Sequence, residues 1–104
     1  MKLATQFAAL GDETRCALVD LLRERPRAVH ELAAEFSISR PAISRHLRVL
    51  KDAGLIEEER DGRENVYTLK RHRLKPLVTW LEHSGPPRRA PEPVAAEIQT
   101  ELDL

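Results

Sequence analysis

The segment Ser37–Ile56, SISRPAISRHLRVLKDAGLI, constrains the fold most, because it marks the start, the end and the buried face of one helix. Ser39 is a favourable N-cap, and Pro41 falls in the first turn, where its missing N–H leaves no hydrogen bond unmade. Gly54 is the residue type that ends helices in a left-handed conformation. Three aliphatic residues share one face of this helix: Ile43, Leu47 and Leu50.

The residues before this segment predict three more helices. The first covers Met1–Leu10, and Asp12 is a plausible N-cap for a second, Glu13–Arg25, which stops before a proline. A third, short helix is predicted at Val29–Phe36. Only three residues then separate it from the helix that Ser39 begins, and two helices joined by so short a turn are typical of a helix-turn-helix.

After Gly54 the spacing of the apolar residues changes from that of a helix to that of an extended strand. Asp61-Gly62 is a strong hairpin-turn signal between two extended runs, with Tyr67 and Leu69 expected to point inward. A last helix is predicted at about Arg71–His83. The predicted order is α-α-α-α-β-β-α, a mainly α fold with a small β-hairpin, which is the winged helix-turn-helix.

The chain divides by composition into three parts. We predict a winged helix-turn-helix domain for DNA binding and dimerisation at 1–83, a Pro-rich linker at 84–93 and an acidic tail at 94–104, which forms either a short helix or a frayed end. The formal net charge of +0 conceals this division. Four acids follow Arg89 with no cation, and without them 13 acids oppose 17 basic residues, so Met1–Arg89 carries +4. A basic body is compatible with a nucleic-acid partner.

Helical geometry places a basic surface opposite the aliphatic face of the fourth helix. Charge on an outer helical face is usually only solvated, but here the helix follows a short turn and precedes a hairpin that carries two further arginines. Recognition helices present their N-terminal residues to base edges, and arginine bonds guanine bidentately. We therefore predict double-stranded DNA as partner, bound by Ser39, Arg40, Pro41, Ser44, Arg45, His46, Arg48, Lys51, Arg60 and Arg63.

Composition favours a binding protein of the cytoplasm. Hydrophobic residues make up 41% and charged residues 33% of the 104, no apolar run approaches the ~20 residues that span a bilayer, and the N-terminus lacks a signal peptide. The loops are too short to shape a deep pocket, and no nucleophile–base pair is evident, so we do not expect an enzyme. The alternative function is a winged-helix module for protein–protein interaction, which needs an exposed apolar patch instead of a cationic face.

Three stretches, FAALGDETRCALVDLL, SISRPAISRHLRVLKDAGLI and RDGRENVYTL, resemble the ArsR/SmtB family of bacterial winged-helix repressors over roughly Phe7 to Leu81. The resemblance implies a homodimer that occludes a promoter, with the first and last helices packed across the two-fold axis. It implies no particular effector, operator or regulated gene. The interface residues expected on this basis are Leu3, Phe7, Leu74, Leu77, Val78, Trp80 and Leu81.

The resemblance also raises metal sensing, and the ligand positions argue against it. Ala28 and His30 occupy the cysteine positions of the arsenic-type site, and the zinc-type positions fall on Arg71, Arg73, Ser84 and Pro87. We therefore predict no metal or cofactor. A non-standard sensor remains an alternative. It would use His30, His72 or His83, the last two across a dimer, or a redox-active Cys16, although we expect that cysteine to be a small buried hydrophobe.

Overall fold

The structure is a computed structural model that describes residues 2–83. The predicted linker at 84–93 and tail at 94–104 lie outside the described residues. The elements in chain order are α1 (Leu3–Leu10), α2 (Glu13–Glu24), β1 (Arg27–Ala28), α3 (Val29–Ala33), α4 (Arg40–Asp52), β2 (Ile56–Asp61), β3 (Glu64–Leu69), a 3₁₀ turn (Arg71–Leu74) and α5 (Lys75–His83).

Helix α4 begins and ends where the sequence predicts. The Ser39 hydroxyl accepts a hydrogen bond from the Ala42 N–H at 3.3 Å. At the other end Gly54 has a φ of 77°, its N–H bonds the Lys51 carbonyl at 2.9 Å, and the Leu55 N–H bonds the Leu50 carbonyl at 3.1 Å. This pair of bonds is a Schellman motif, which satisfies the carbonyls of the last turn.

The aliphatic face of α4 forms the centre of the core. Ile43, Leu47 and Leu50 are each 0% exposed, which confirms the predicted inward face. They belong to one cluster with buried residues of the neighbouring elements, among them Leu18, Leu22, Leu32, Leu55, Ile56, Tyr67 and Leu69. Burying one aliphatic side chain of this size contributes ~1.5–3 kcal/mol. The orientation of α4 about its axis is therefore strongly determined.

The sheet has a third strand that the sequence analysis missed. Arg27 pairs with Tyr67 and Ala28 with Val66, so the strand order is β1-β3-β2 and the element order is α-α-β-α-α-β-β-α. Strand β1 has only two residues, which is too short to show the alternation of apolar and polar side chains that indicates a strand. The charged residue Arg27 is 8% exposed and donates to Glu24 at 2.6 Å.

Two helices differ from their predicted lengths. The third helix ends at Ala33, not at Phe36, and the residues that follow form a turn. The last helix is not continuous from Arg71: a 3₁₀ turn precedes α5. Pro76 explains the second difference, because it has no N–H to donate to the carbonyl four residues earlier, as a continuous α-helix would require.

The hairpin of β2 and β3 forms the wing. Asp61 pairs with Glu64, so the connection is the two residues Gly62 and Arg63, one residue after the position that the Asp-Gly signal indicates. Within residues 2–83, positive φ values occur at Gly54 and Gly62, the latter at 65°. A positive φ at only the first of two central residues is typical of a type II′ turn, which matches the twist of paired strands.

Replacing Gly62 by Ala is expected to lower the free energy of unfolding by about 1 kcal/mol, because a Cβ disfavours a positive φ. Crowding does not contribute, since, apart from Gly62 and its two chain neighbours, no described residue has an atom within 4 Å of that Cβ position. Gly62→Asn is the matched variant and should cost less, because asparagine tolerates this conformation. Denaturant unfolding at one fixed protein concentration measures both. Equal costs for the two variants would contradict the conformational explanation.

Candidate nucleic-acid interface

The outward face of α4 is a basic surface. Because Ile43, Leu47 and Leu50 are buried, most of the residues between them project away from the protein body. The predicted DNA-binding residues that are exposed along this helix and its cap are Ser39, Arg40, Pro41, Ser44, Arg45, Arg48 and Lys51. The acid within α4 itself is Asp52, whose carboxylate lies 3.9 Å from the Arg48 guanidinium at the end remote from Ser39. The N-terminal half of the face is thus cationic without a close counter-ion from its own helix.

Lys51 differs from the other cations of this face because it is held by the wing. Its Nζ donates to Glu58 Oε1 at 3.0 Å, and the Tyr67 hydroxyl donates to Glu58 Oε2 at 3.0 Å. The hydrogen bond from Lys51 lowers the pKa of Glu58, and burial together with the Glu58 carboxylate raises the pKa of Tyr67 to about 12. These two bonds join α4 to both long strands and fix the angle of the wing.

His46, unlike the other predicted DNA-binding residues of α4, is largely buried. Its side chain is 24% exposed, and Nδ1 lies 3.2 Å from Nη1 of Arg15 on α2. The ring therefore faces the N-terminus of α2, not the outward face of α4. The sequence could not indicate this orientation, because it depends on a contact between residues 31 positions apart.

The wing adds two arginines with different surroundings. Arg63 lines a cleft of about 440 Å³ together with Arg40, so the turn lies near the N-terminus of α4. His30 and Asn65 line the same cleft, and Nδ1 of His30 lies 3.3 Å from Oε1 of Glu64. Neither His30 nor Asn65 was predicted to lie near the basic face. Arg60 instead folds back on the turn, where its Nε donates to the Gly62 carbonyl at 2.9 Å.

A separate apolar surface lies on α1 and α5. Val78, Trp80 and Leu81 are 52%, 51% and 55% exposed, and the Trp80 ring contacts Phe7 edge-on with centroids 5.4 Å apart. Leu3 is half-buried beside them. Two residues predicted at the dimer interface are instead covered within the single chain. Leu77 is 4% exposed and therefore buried within the single chain, and Leu74 packs against the core.

Cys16 does not occupy the buried position that the sequence analysis expected. It is exposed, and its thiol donates to the Leu10 carbonyl at 2.9 Å, because the inward face of α2 is formed by Leu18, Val19 and Leu22.

His72 and His83 line a cleft of about 640 Å³ beside Trp80. Among residues 2–83, no three His, Cys, Asp or Glu side chains are grouped so that they could hold a metal ion.

Comparisons with known proteins agree with this geometry. The family described as bacterial regulatory protein, arsR family, matches residues 12–58. The HTH-type transcriptional regulator Rv2034 of Mycobacterium tuberculosis is 46% identical over 76 residues, which cover 73% of this chain and 71% of that protein. The transcriptional repressor SmtB of the same organism is 44% identical over 78 residues, which cover 74% of this chain. The match spans only 58% of the length of SmtB.

The fold is shared with solved structures of the same kind. An ArsR-like transcriptional regulator from Rhodococcus sp. RHA1 superimposes with a TM-score of 0.71 at 33% identity, covering 97% of this chain and 86% of that one. None of the helices within residues 2–83 is long and apolar enough to cross a bilayer.

The hydrogen bonds that Glu58 accepts from Lys51 and Tyr67 predict a loss of stability at low pH. Glu58 has a lowered pKa, so its carboxylate stabilises the fold above its ordinary value of 4.5. That contribution is lost as the pH falls through the lowered pKa of the folded state. Glu58→Gln should therefore unfold more easily than the parent protein at pH 7, and the difference should shrink towards pH 3. Glu59→Gln, on the other face of β2, is the matched control and should show no such trend. Urea unfolding across this pH range measures the difference in free energy of unfolding between the parent protein and Glu58→Gln. A difference that stays the same at low pH would show that the Glu58 carboxylate does not stabilise the fold.

Proposed function

This chain belongs to the ArsR family of bacterial regulatory proteins, and we propose that it is a sequence-specific DNA-binding transcriptional regulator of the cytoplasm, acting as a repressor. The observation that carries the proposal is the basic outward face of α4, held in place by a helix face that is 0% exposed. A relative of 44% identity is named a transcriptional repressor, which supports the direction of control. The effector is left open.

The residues of the basic face divide by position into base-reading and backbone-binding groups. Ser39, Arg40 and Ser44 lie in the N-terminal turns of α4, which in helix-turn-helix proteins contact base edges in the major groove. Arg45 and Arg48 lie farther along the exposed side, where guanidinium groups can bond phosphates or guanine. Arg63 reaches the same side from the wing. Most contacts in such interfaces go to phosphate and position the protein, while a few side chains specify the sequence.

The protein acts as a homodimer in this proposal. Val78, Trp80 and Leu81 expose an apolar strip on α5 that a partner would cover, and Phe7 continues it on α1. Two-fold symmetry then presents two copies of α4 to one side of the duplex. The operator is accordingly an inverted repeat with half-sites about one helical turn, ~34 Å, apart.

The second candidate function, a module for protein–protein interaction, also draws support from the exposed strip on α5. The two functions differ in their response to salt. Each phosphate that the protein neutralises contributes a slope of about −0.9 to the dependence of log K on log salt for duplex DNA. A binding partner recognised through apolar side chains gives a much flatter dependence.

The DNA-binding proposal is tested by selecting duplexes from a random pool with the full chain. The selected sequences should contain an inverted repeat, and Arg40→Ala and Arg45→Ala should each cost about 1–3 kcal/mol where these side chains read bases. Arg23→Ala on α2 removes the same charge from an exposed position off this face and serves as the control. Enrichment of no sequence, or of direct repeats, would contradict the proposed docking.

The dimer proposal is tested by sedimentation of the double variant Val78→Glu, Leu81→Glu. Both side chains are more than half exposed in the single chain, so charge there should leave the protomer folded and convert a dimer into monomers. Ile38→Glu, an exposed aliphatic 39% accessible between α3 and α4, is the matched control and should remain dimeric. A dimer that survives the double change would place the interface on another surface.

A further inference from the structure

Arg15 connects three helices through one guanidinium group. Nε donates to the Ala9 carbonyl at 2.6 Å and Nη2 to the Ala8 carbonyl at 3.4 Å, both in the last turn of α1. Nη1 lies 3.2 Å from Nδ1 of His46 on α4. The carbonyls at a helix C-terminus lack intrahelical donors and carry partial negative charge, so a cation is favoured there. Arg15 thus caps α1 and reaches the recognition helix from the same position.

The chemistry of this contact selects one tautomer of the His46 ring. A guanidinium group has five donors and no acceptor, so the contact is a hydrogen bond only where Nδ1 of His46 accepts and carries no proton. In a neutral ring, that arrangement puts the proton on Nε2. Asp12 Oδ2 lies 3.8 Å from Nδ1, beyond hydrogen-bond distance, and instead accepts from the Arg15 backbone N–H at 3.0 Å.

We propose that Arg15 is a positioning residue for DNA binding: it holds His46 as the Nε2–H tautomer and thereby sets the angle of α4 against the end of α1. The consequence for DNA rests on the proposed function, whereas the tautomer of His46 does not. His46 follows Arg45 directly and precedes Arg48 by two positions. A change in the angle of α4 at His46 therefore displaces the cations on both sides of it.

Two other roles for Arg15 are distinguishable from positioning. If Arg15 contributed only positive charge, lysine would replace it without loss. If it bonded a DNA phosphate directly, its removal would reduce the salt slope by about 1. A positioning role predicts neither result, because a lysine ammonium cannot bond the α1 carbonyls and His46 in the same planar arrangement. The slope should also stay unchanged, since the number of phosphate contacts is preserved.

The tautomer is measured first, without DNA. In a long-range ¹H–¹⁵N spectrum of the ¹⁵N-labelled full chain at pH 7.5, the His46 ring should show an unprotonated Nδ1 and a protonated Nε2. In Arg15→Gln the same ring should lose this preference and give averaged nitrogen shifts, while Arg23→Gln, a charge-matched change on the same helix, should leave it intact. An Nδ1–H ring in the parent protein would overturn the proposal.

DNA affinity is then measured on the selected inverted-repeat duplex. Arg15→Gln and Arg15→Lys should both weaken binding by about tenfold or more, the equivalent of one charge-assisted hydrogen bond, with the salt slope of the parent protein. His46→Ala should weaken binding to a similar extent, and adding Arg15→Gln to it should cost little more, because both residues act through one contact. Arg23→Gln should bind as the parent does.

Each remaining outcome decides against the proposal or against its premise. Full rescue by Arg15→Lys would reduce the role to charge, and a salt slope lower by about 1 in Arg15→Gln would make Arg15 a phosphate contact. Additive losses for Arg15→Gln and His46→Ala would show that the two side chains act independently. If the parent protein binds no duplex, the proposed function fails, and the ring spectra alone decide whether Arg15 sets the His46 tautomer.

Discussion

The burial of one face of α4 is the constraint on which the rest of the structure depends. Ile43, Leu47 and Leu50 are fully buried among residues of α2, α3 and the wing strands, and together they resist any rotation of the helix about its axis. A helix held in this way must present its other face to solvent, and that face is basic. The position of each side chain proposed to contact DNA is therefore a consequence of packing on the opposite side of the same helix.

Polar contacts on two sides of α4 also hold the helix in place. Lys51 and Tyr67 both donate hydrogen bonds to the Glu58 carboxylate and so join the C-terminal half of the helix to the wing. On the other side Arg15 joins His46 to the end of α1. Since α1 carries part of the exposed apolar strip, the surface proposed for dimerisation and the surface proposed for DNA are linked through a short chain of contacts. This arrangement gives the relative placement of the two surfaces a physical basis within one protomer.

The sequence predicted those features whose causes are local. The cap at Ser39, the left-handed Gly54 and the aliphatic period of α4 lie within one segment, and all three are confirmed. Features that arise from contacts distant in sequence were missed: β1 exists because two residues pair with β3, and His46 turns away from the basic face because Arg15 lies beside it. Leu77 follows the same rule, since periodicity identifies an apolar residue without revealing which apolar surface covers it.

The central claim is that the outward face of α4 enters the major groove, and methylation of guanine N7 by dimethyl sulfate tests it most directly, because that atom lies in the major groove. With the selected duplex bound, we predict protection of guanine N7 in two patches about one helical turn, ~34 Å, apart, related by a two-fold axis. Loss of this protection in Arg40→Ala at one guanine of each patch would identify the base it reads. Unprotected guanine N7 throughout a duplex whose backbone is shielded from hydroxyl radicals would contradict the account.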